Sequence, residues 1–401
     1  MKEIKLGLIG LGKRGTSLLR YSITPFCKNI VAVCDTRIER AKNAADVTKE
    51  ITGKTPICTT DYNEVLANPE VNTVVIATDW EYHVEIAVAA MKAGKAVALE
   101  VGGAYRIEDC FELVKTYEET KMPFMFLENG CYCRRELMVL NMVQKGLLGE
   151  LVHCSGCYRH DLREEVSTGR IKGHYRLRNY LNRNCENYPT HEIGPIAKIL
   201  NINNGNRFVS LSSTSSKARG LKDYVEKTKT DYEFLKDKSV AQGDIITTVI
   251  KCAGGETVVI TLDTTLPTYF TRGLTVRGTN GMYEDATDSV FLDKPEDIAH
   301  ETDWRTACQG NATDYEEEYE HPIWKEYLKN GVEGTHGGVD YLEFKYFFEA
   351  LENGTPMPID VYDAATWMAV SALSEQSILK GGAVVDFPDF TCGKWQCPTV
   401  E

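Results

Sequence analysis

Ile4-Lys5-Leu6-Gly7-Leu8-Ile9-Gly10-Leu11-Gly12-Lys13-Arg14-Gly15 is an apolar run that breaks into three glycines spaced G-x-G-x-x-G. Thr16, Leu18 and Leu19 then open a helix. A strand running straight into such a turn, with a helix behind it, is the context that gives this spacing a physical meaning. The first glycine makes the tight turn. The second lets the backbone approach a pyrophosphate, and the third lets helix and strand pack closely, with the helix N-terminus facing the anion. A second strand, Ile30 to Cys34, ends at Asp35, 20 residues past Gly15. A carboxylate there accepts hydrogen bonds from a ribose 2′-hydroxyl and repels a 2′-phosphate. The pattern therefore predicts NAD rather than NADP, with Arg37 a nearby residue of the type that can accommodate a phosphate.

Strand–helix alternation continues outward from this turn. Arg37 to Thr48 reads as a helix, Thr73 to Ala77 as a buried strand, and Val84 to Met91 as a helix stopped by Gly94. A strand from Ala96 ends at Glu100, a helix runs from Ile107 to Thr120, and a strand from Phe124 ends at Glu128. Such alternation predicts an α/β fold whose first domain, residues 1–128, is a Rossmann-type doubly wound parallel sheet. Ligands bind such sheets at the carboxyl ends of the strands. The candidate cofactor-binding residues are Gly10, Gly12, Lys13, Arg14, Gly15, Asp35, Thr78, Trp80, His83, Glu100 and Asn129. For His83 the plainer reading is a residue at a helix start that contacts backbone or a cofactor ribose.

After Glu128 the pattern changes. Leu151 to Tyr158, Phe208 to Ser213, Asp244 to Lys251, Thr257 to Asp263 and Leu274 to Gly278 read as strands, with Ala253-Gly254-Gly255 as a hairpin turn. No regular helices separate them. The expectation is a second α/β domain, residues 129–385, with a largely antiparallel open sheet, followed by a tail at 386–401. Residues 161–187 read as a long polar binding loop. The stretch 294–322 reads as acidic and irregular, with Tyr315 to Glu320 a solvated surface. Helices are expected over Tyr341 to Leu351 and from Tyr362 to about Ile378. Cys154 and Cys157 have C-x-x-C spacing but lie on one strand, where residues three apart point to opposite faces, so no metal site is expected.

The chain carries 45 basic and 58 acidic residues, a formal net charge of −13. With no basic run it is a poor match for nucleic acid or an anionic membrane. Charged residues interrupt every candidate membrane span. Thirteen scattered cysteines and an N-terminus leading directly into a strand suggest a cytoplasmic protein. Within the second half, Tyr188 and His191 straddle Pro189 and Thr190, and Ile193, Ile196, Ala197, Ile199 and Leu200 follow at helical spacing. This pair should stand at the mouth of a helix, a suitable place for a proton donor and acceptor. The plainer alternative is a helix start capped by Thr190 with a histidine satisfied by backbone.

A-T-D-W-E-Y-H-V-E-I-A-V-A-A-M-K-A-G-K-A-V-A-L-E (77–100) resembles the Gfo/Idh/MocA oxidoreductase superfamily. In most members the strand at Glu100 continues as Glu-Lys-Pro, and the lysine serves alcohol oxidation; here Val101 and Gly102 follow. The rest resembles one branch, the NAD-dependent glycoside hydrolases of family 109, whose characterised activity is α-N-acetylgalactosaminidase and which replaces the lysine with valine. The matching pieces are L-E-N-G-C-Y (127–132), H-Y-R (174–176), N-Y-P-T-H-E-I-G-P-I-A (187–197), L-N-I-N-N-G-N-R (200–207), H-P-I-W-K (321–325), H-G-G-V-D (336–340), D-V-Y-D (360–363) and P-D-F-T-C-G-K-W (388–395). Gly102 and Gly103 stand where the branch usually has proline and a small residue, and Cys392 where it has arginine.

The resemblance implies that Glu128, Tyr158, Arg176, Tyr188, His191 and Tyr269 line a sugar pocket. Glu128, Arg176 and Tyr269 would bind substrate, while His191, Tyr188 and Tyr158 are the candidate acid/base groups. No pair of glycosidase carboxylates is evident. A redox route to glycoside cleavage fits: transient oxidation at C3 makes the C2 proton acidic, elimination expels the C1 substituent, water adds, and C3 is reduced again. NAD would be recycled and stay tightly bound. Two alternatives stand beside this one: a sugar or cyclitol dehydrogenase with His191 as base, and a non-catalytic NAD(H)-binding sensor. The expected partners are a small carbohydrate and further copies of the chain, as a dimer or tetramer.

Overall fold

The computed structural model describes residues 3–293 and 310–397. It resolves into two compact units, Met1–Tyr132 with Asn330–Ala369, and Cys133–Lys329 with Val370–Glu401.

The first unit is built on six parallel strands: β1 (Leu6–Ile9), β2 (Ile30–Cys34), β3 (Ile57–Thr59), β4 (Thr73–Ile76), β5 (Ala96–Glu100) and β6 (Phe124–Leu127). Their order is β3-β2-β1-β4-β5-β6, so the chain reverses direction across the sheet between β1 and β4. The carboxyl ends on either side of such a reversal leave a crevice for a ligand. Strands β1, β4, β5 and β6 are buried throughout, as a sheet covered on both faces requires. Helices Ile38–Thr52, His83–Lys92 and Ile107–Thr120 match the predicted ones within a few residues. The short β3 escaped the reading because three residues carry no measurable period.

Residues 330–369 group with this first unit, although they lie inside the stretch 129–385 read as the second domain. Trp367 is wholly buried with its ring edge toward Phe126, centroids 6.2 Å apart. The Phe126 amide donates to the Ile359 carbonyl, and the Ala104 amide to Met368. A helix, Val339–Asn353, precedes them, and a longer one, Val361–Leu379, holds Trp367.

The second unit holds an eight-stranded sheet. Its strands are β7 (Leu151–Arg159), β8 (Phe208–Ser215), β9 (Ile245–Cys252), β10 (Thr257–Asp263), β11 (Thr275–Gly278), β12 (Gly281–Glu284), β13 (Ser289–Leu292) and β14 (Val385–Asp386). The order is β13-β12-β11-β7-β10-β9-β8-β14. Only the β7–β10 neighbours run parallel; every other pair is antiparallel, and β9 turns into β10 at the expected hairpin. Alternate residues Ile246, Ile250, Val258, Ile260 and Leu262 are at most 1% exposed. Each contributes about 1.5–3 kcal/mol by burial, which fixes the register because a one-residue slip would expose them all.

Two expectations need correction. The stretch 161–187 is not an irregular loop. It folds into short helices, Arg163–Ser167, Gly169–Lys172 and Arg176–Asn182, that bury Val166, Leu177 and Tyr180. One or two apolar residues per turn, interrupted by Gly173 at φ +64°, give no periodic signal. The acidic run Tyr315 to Glu320 is not simply a solvated surface. Arg134 donates to Glu316 at 2.8 Å and to Glu320 at 2.5 Å, and Arg135 donates to Glu316 at 3.1 Å. Glu320 is only 4% exposed. Residues 294–309 of the predicted acidic stretch lie outside the described residues.

Candidate active site

In the first unit the glycine turn has the geometry that the spacing implies. Gly10 has φ +93°, and a Cβ there would stand 2.4 Å from the Ala77 carbonyl oxygen. A Cβ on Gly15 would lie 2.0 Å from the Gly10 carbonyl oxygen. At Gly12 an added Cβ would meet only Arg40 Nη1, at 3.8 Å, so this side of the turn is open. The helix Lys13–Leu18 follows, with Lys13 exposed on its first turn, and continues as a π-helical segment, Leu19–Ile23. Asp35, at the end of β2, accepts from the Leu11 amide at 2.8 Å and the Arg37 amide at 2.9 Å. A carboxylate tied to the glycine turn, beside open backbone, fits the ribose and pyrophosphate of a bound NAD.

The other carboxyl ends carry a hydrogen-bonded network. Arg14 donates to Glu100, at the end of β5, at 2.7 Å, and to both oxygens of Asp340 at 2.8 and 3.1 Å. Asp340 also accepts from Asn129 at 2.7 Å and from Thr335 at 3.2 Å, and lies 2.6 Å from His336 Nδ1. Burial alone would raise the Asp340 pKa, but His336 and Arg14 hold it well below the usual carboxylate range. Glu343, one turn along the same helix, is fully buried and both its oxygens lack hydrogen bonds. Burial and the nearby Glu100 and Asp340 push its pKa well up, against the opposing charge of Arg14. Glu128 is fully buried and accepts from the Gly130 amide at 2.8 Å.

Thr78 sits at the end of β4, and its carbonyl oxygen accepts from His83 Nε2 at 3.0 Å. Burial lowers the His83 pKa to about 4, so the ring is neutral with Nε2 protonated. This is the plainer backbone-contacting role. Trp80 is buried, and a Cβ on Gly102 would come within 2.6 Å of its indole Cδ1. The glycine at this departure from the family pattern is thus matched by an indole lying against it.

In the second unit the chain before Tyr188 is pinned on both sides. Cys185 exchanges hydrogen bonds with Gln242, the Glu186 amide donates to Ser374 at 2.8 Å, and Ser371 donates to the Glu186 carbonyl at 2.5 Å. Pro189 then starts the helix Thr190–Ile199, with His191 on its first turn. Thr190 does not cap it, because Pro189 holds the N-cap position without a side-chain bond. At this helix mouth Tyr188 is 7% exposed and His191 half-buried. The Tyr188 and His191 rings meet edge to face, centroids 4.7 Å apart. Tyr158, second-last residue of β7, lies 4.7 Å from Tyr188 and 5.5 Å from His191 by the same measure. Gly156 permits this approach of helix to strand, since a Cβ there would be 2.9 Å from Glu192 Cβ.

Arg176 completes the cluster, its guanidinium 4.9 Å from the Tyr188 ring centroid and its Nε 3.1 Å from Glu165. Burial raises the Tyr158 pKa, and Arg176 only partly offsets this. Tyr269 is 68% exposed, and its ring contact is with the Arg159 guanidinium at 5.8 Å. Its neighbour Phe270 instead joins the cluster, 6.4 Å from Tyr158 and 5.2 Å from His160. Sequence reasoning missed Phe270, His160, Glu165 and the Asp340 hub; only H-G-G-V-D (336–340), quoted as a family piece, pointed toward one of them. Among the described residues no group of three or more histidine, cysteine, aspartate or glutamate side chains is arranged to hold a metal ion.

Comparison with known proteins agrees with both halves of this picture. Residues 132–397 match the family model for the glycosyl hydrolase 109 C-terminal domain, and residues 4–127 match that for the oxidoreductase family, NAD-binding Rossmann fold. The chain is 36% identical to a glycosyl hydrolase family 109 protein of Stenotrophomonas maltophilia (strain K279a), over 98% of this chain and 90% of the relative. It is 37% identical to an alpha-N-acetylgalactosaminidase of Tannerella forsythia, over 98% of this chain and 87% of the relative. A solved levoglucosan dehydrogenase in complex with NADH and L-sorbose has a TM-score of 0.70 at 20% identity, covering 97% of this chain and all of its own. At that identity the likeness concerns the fold alone.

Proposed function

This chain belongs to glycoside hydrolase family 109 and is an NAD-dependent glycosidase, and from that premise we propose that it cleaves α-linked N-acetylgalactosaminides. The observation that carries the reading is the Tyr158–Tyr188–His191 ring cluster with Arg176 over Tyr188. Acid/base side chains are concentrated there, as a sequence of proton transfers requires.

Gly10, Gly12, Gly15 and Asp35 would hold the pyrophosphate and ribose of NAD. Arg14, Glu100 and Asn129, fixed through Asp340, and Lys13, Thr78, Trp80 and His83 complete the proposed cofactor set. When bound, NAD supplies reversible hydride transfer at C3 of the sugar, with no net oxidation. The chain's own groups then serve the proton movements. A base removes the C3 hydroxyl proton, and a base takes the C2 proton that the C3 carbonyl has made acidic. An acid protonates the departing C1 oxygen, and a base deprotonates the incoming water. His191 and Tyr188 are the proposed donor and acceptor, with Tyr158 the third group. Histidine suits transfer in both directions because its ordinary pKa lies near neutrality. Glu128, Arg176 and Tyr269 are proposed to hold sugar hydroxyls and the acetamido group. Recycling of the cofactor within each turnover favours tight retention of NAD.

The chain is proposed to assemble as a dimer or tetramer through the eight-stranded sheet, whose outward side carries Val249 at 45% exposure. Light scattering tests this. Twelve described cysteines are free thiols, which suits a reducing, cytoplasmic compartment. No described helix is long and apolar enough to cross a membrane.

Aryl release from nitrophenyl α-N-acetylgalactosaminide, with absorbance of NADH followed in the same cuvette, tests the function. The expected result is aryl release without NADH build-up, lost on stripping the cofactor and restored by NAD⁺. NADH accumulation on free sugars, without aryl release, would replace this reading with a dehydrogenase.

A further inference from the structure

The ring cluster of the second unit continues two residues past Tyr158. The Tyr158 hydroxyl lies 3.0 Å from His160 Nδ1, and the two rings meet edge to face, centroids 5.7 Å apart. Tyr158 is only 5% exposed, whereas His160 is half-buried with Phe270 against one side of its ring. The His160 amide donates to the Asp263 carbonyl at 2.9 Å, which anchors the backbone below the imidazole. Residues two apart on a strand share a face, so the continuation of β7 carries the imidazole to the same side as the phenol.

We infer that His160 is a positioning residue and proton relay for Tyr158, connecting this buried phenol to solvent. The inference rests on the reading of Tyr158 as a proton-transfer group. A buried tyrosine can act as a base only if its proton first has somewhere to go; Arg176 can only donate to its hydroxyl, whereas His160 Nδ1 lies within hydrogen-bond distance and can accept. With the phenol donating, Nδ1 accepts and Nε2 carries the ring proton. The transfer is balanced: the Tyr158 O–H bond breaks as an Nδ1–H bond forms, and the Nε2–H bond breaks as water takes that proton. The products are the phenolate, the neutral Nδ1–H tautomer of His160, and hydronium. The phenolate keeps an Nδ1–H hydrogen bond and faces the Arg176 charge, and it then accepts a substrate proton. Reversal of the same steps resets the site.

The surroundings favour an imidazole that is neutral at rest. Burial lowers the His160 pKa, and so do Arg176 on the helix Arg176–Asn182 and His191 on the helix Thr190–Ile199. Glu165 on the helix Arg163–Ser167 and the adjacent Asp161 oppose them. A neutral ring has one nitrogen to accept and one to donate, as a relay requires.

The test uses the full-length protein with its cofactor, tyrosine labelled with ¹³C at Cζ and histidine with ¹⁵N. The Tyr158 and His160 signals are assigned by their loss in Tyr158→Phe and His160→Gln. The expected result is that Tyr158→Phe shifts the His160 Nδ1 resonance and that His160→Gln moves the Tyr158 titration midpoint upward. Aryl release by His160→Gln should fall about tenfold to a hundredfold in kcat, with KM nearly unchanged, and free imidazole should restore part of it. A His160 resonance indifferent to Tyr158→Phe, or a His160→Gln protein with wild-type kcat and pH profile, overturns the relay. If the wild-type protein releases no aryl group at all, the proposed function fails instead, and the two resonance measurements decide the relay alone.

Discussion

At the residue scale, the proposed chemistry rests on two short polar networks. One is the Tyr158–Tyr188–His191–Arg176 cluster, where the Tyr188 ring meets both Tyr158 and His191 edge to face. Tyr188→Phe keeps the ring packing and removes only the hydroxyl, while His191→Ala removes the imidazole. Each is expected to lower kcat for aryl release at least about a hundredfold in a protein that still folds and binds NAD⁺. Circular dichroism and cofactor titration beside the kinetics check this. The other network is the single carboxylate of Asp340, which holds Arg14 and Asn129 at once. Charge-assisted bonds of this kind are worth about 1.5–3 kcal/mol. Asp340→Asn should therefore weaken NAD⁺ binding about tenfold to a hundredfold, read by calorimetry, if Arg14 and Asn129 serve the cofactor as proposed. An unchanged affinity would remove both from the cofactor set.

At the scale of elements, close approach of backbone decides where side chains can stand. The helix Thr190–Ile199 lies against β7 because Gly156 has no side chain, with Glu192 Cβ and Ile196 Cδ1 at 2.9 and 3.2 Å from where a Cβ would be. Gly156→Val should cost about 1–3 kcal/mol by overpacking. It should also depress kcat in the fraction that remains folded, because His191 and Tyr158 ride on the two displaced elements. Denaturant melts and kinetics at the same temperature separate the two effects. The pinned segment before Tyr188 makes a pH prediction. Burial raises the Glu186 pKa from an ordinary 4.5 to about 8, so the native state holds a proton that the unfolded chain releases earlier. A carboxyl raised in this way favours folding at low pH and loses that contribution as pH rises toward about 8. Glu186→Gln should therefore gain in melting temperature over wild type as the buffer is moved from acid to alkaline. A difference independent of pH would mean that Glu186 is ionised in the fold.

At the scale of the molecule, NAD should act as part of the folded state. Stripped protein is expected to melt lower than loaded protein, and NAD⁺ at a hundred times its Kd should restore about 2.7 kcal/mol. Scanning calorimetry across a cofactor series checks this, and NADP⁺ at the same concentrations should do less if Asp35 holds the ribose as proposed. The sequence by itself determined the parallel first sheet, the hairpin-linked second sheet and the family, because each follows from local patterning: glycine spacing beside a strand, helix–strand alternation, and period-two burial. It also singled out Arg176, Tyr188 and His191 as candidates, through the short pieces H-Y-R (174–176) and N-Y-P-T-H-E-I-G-P-I-A (187–197), while Tyr158 came from the family resemblance alone. Only the tertiary structure decided that residues 330–369 return to the first unit, that Asp340 meets Arg14 across 326 positions, and that His160 and Phe270, rather than the exposed Tyr269, join the ring cluster. The physical reason is that a local pattern records which face of an element is apolar. It does not record which distant polar groups will be desolvated together, and burial then forces those groups to find one another.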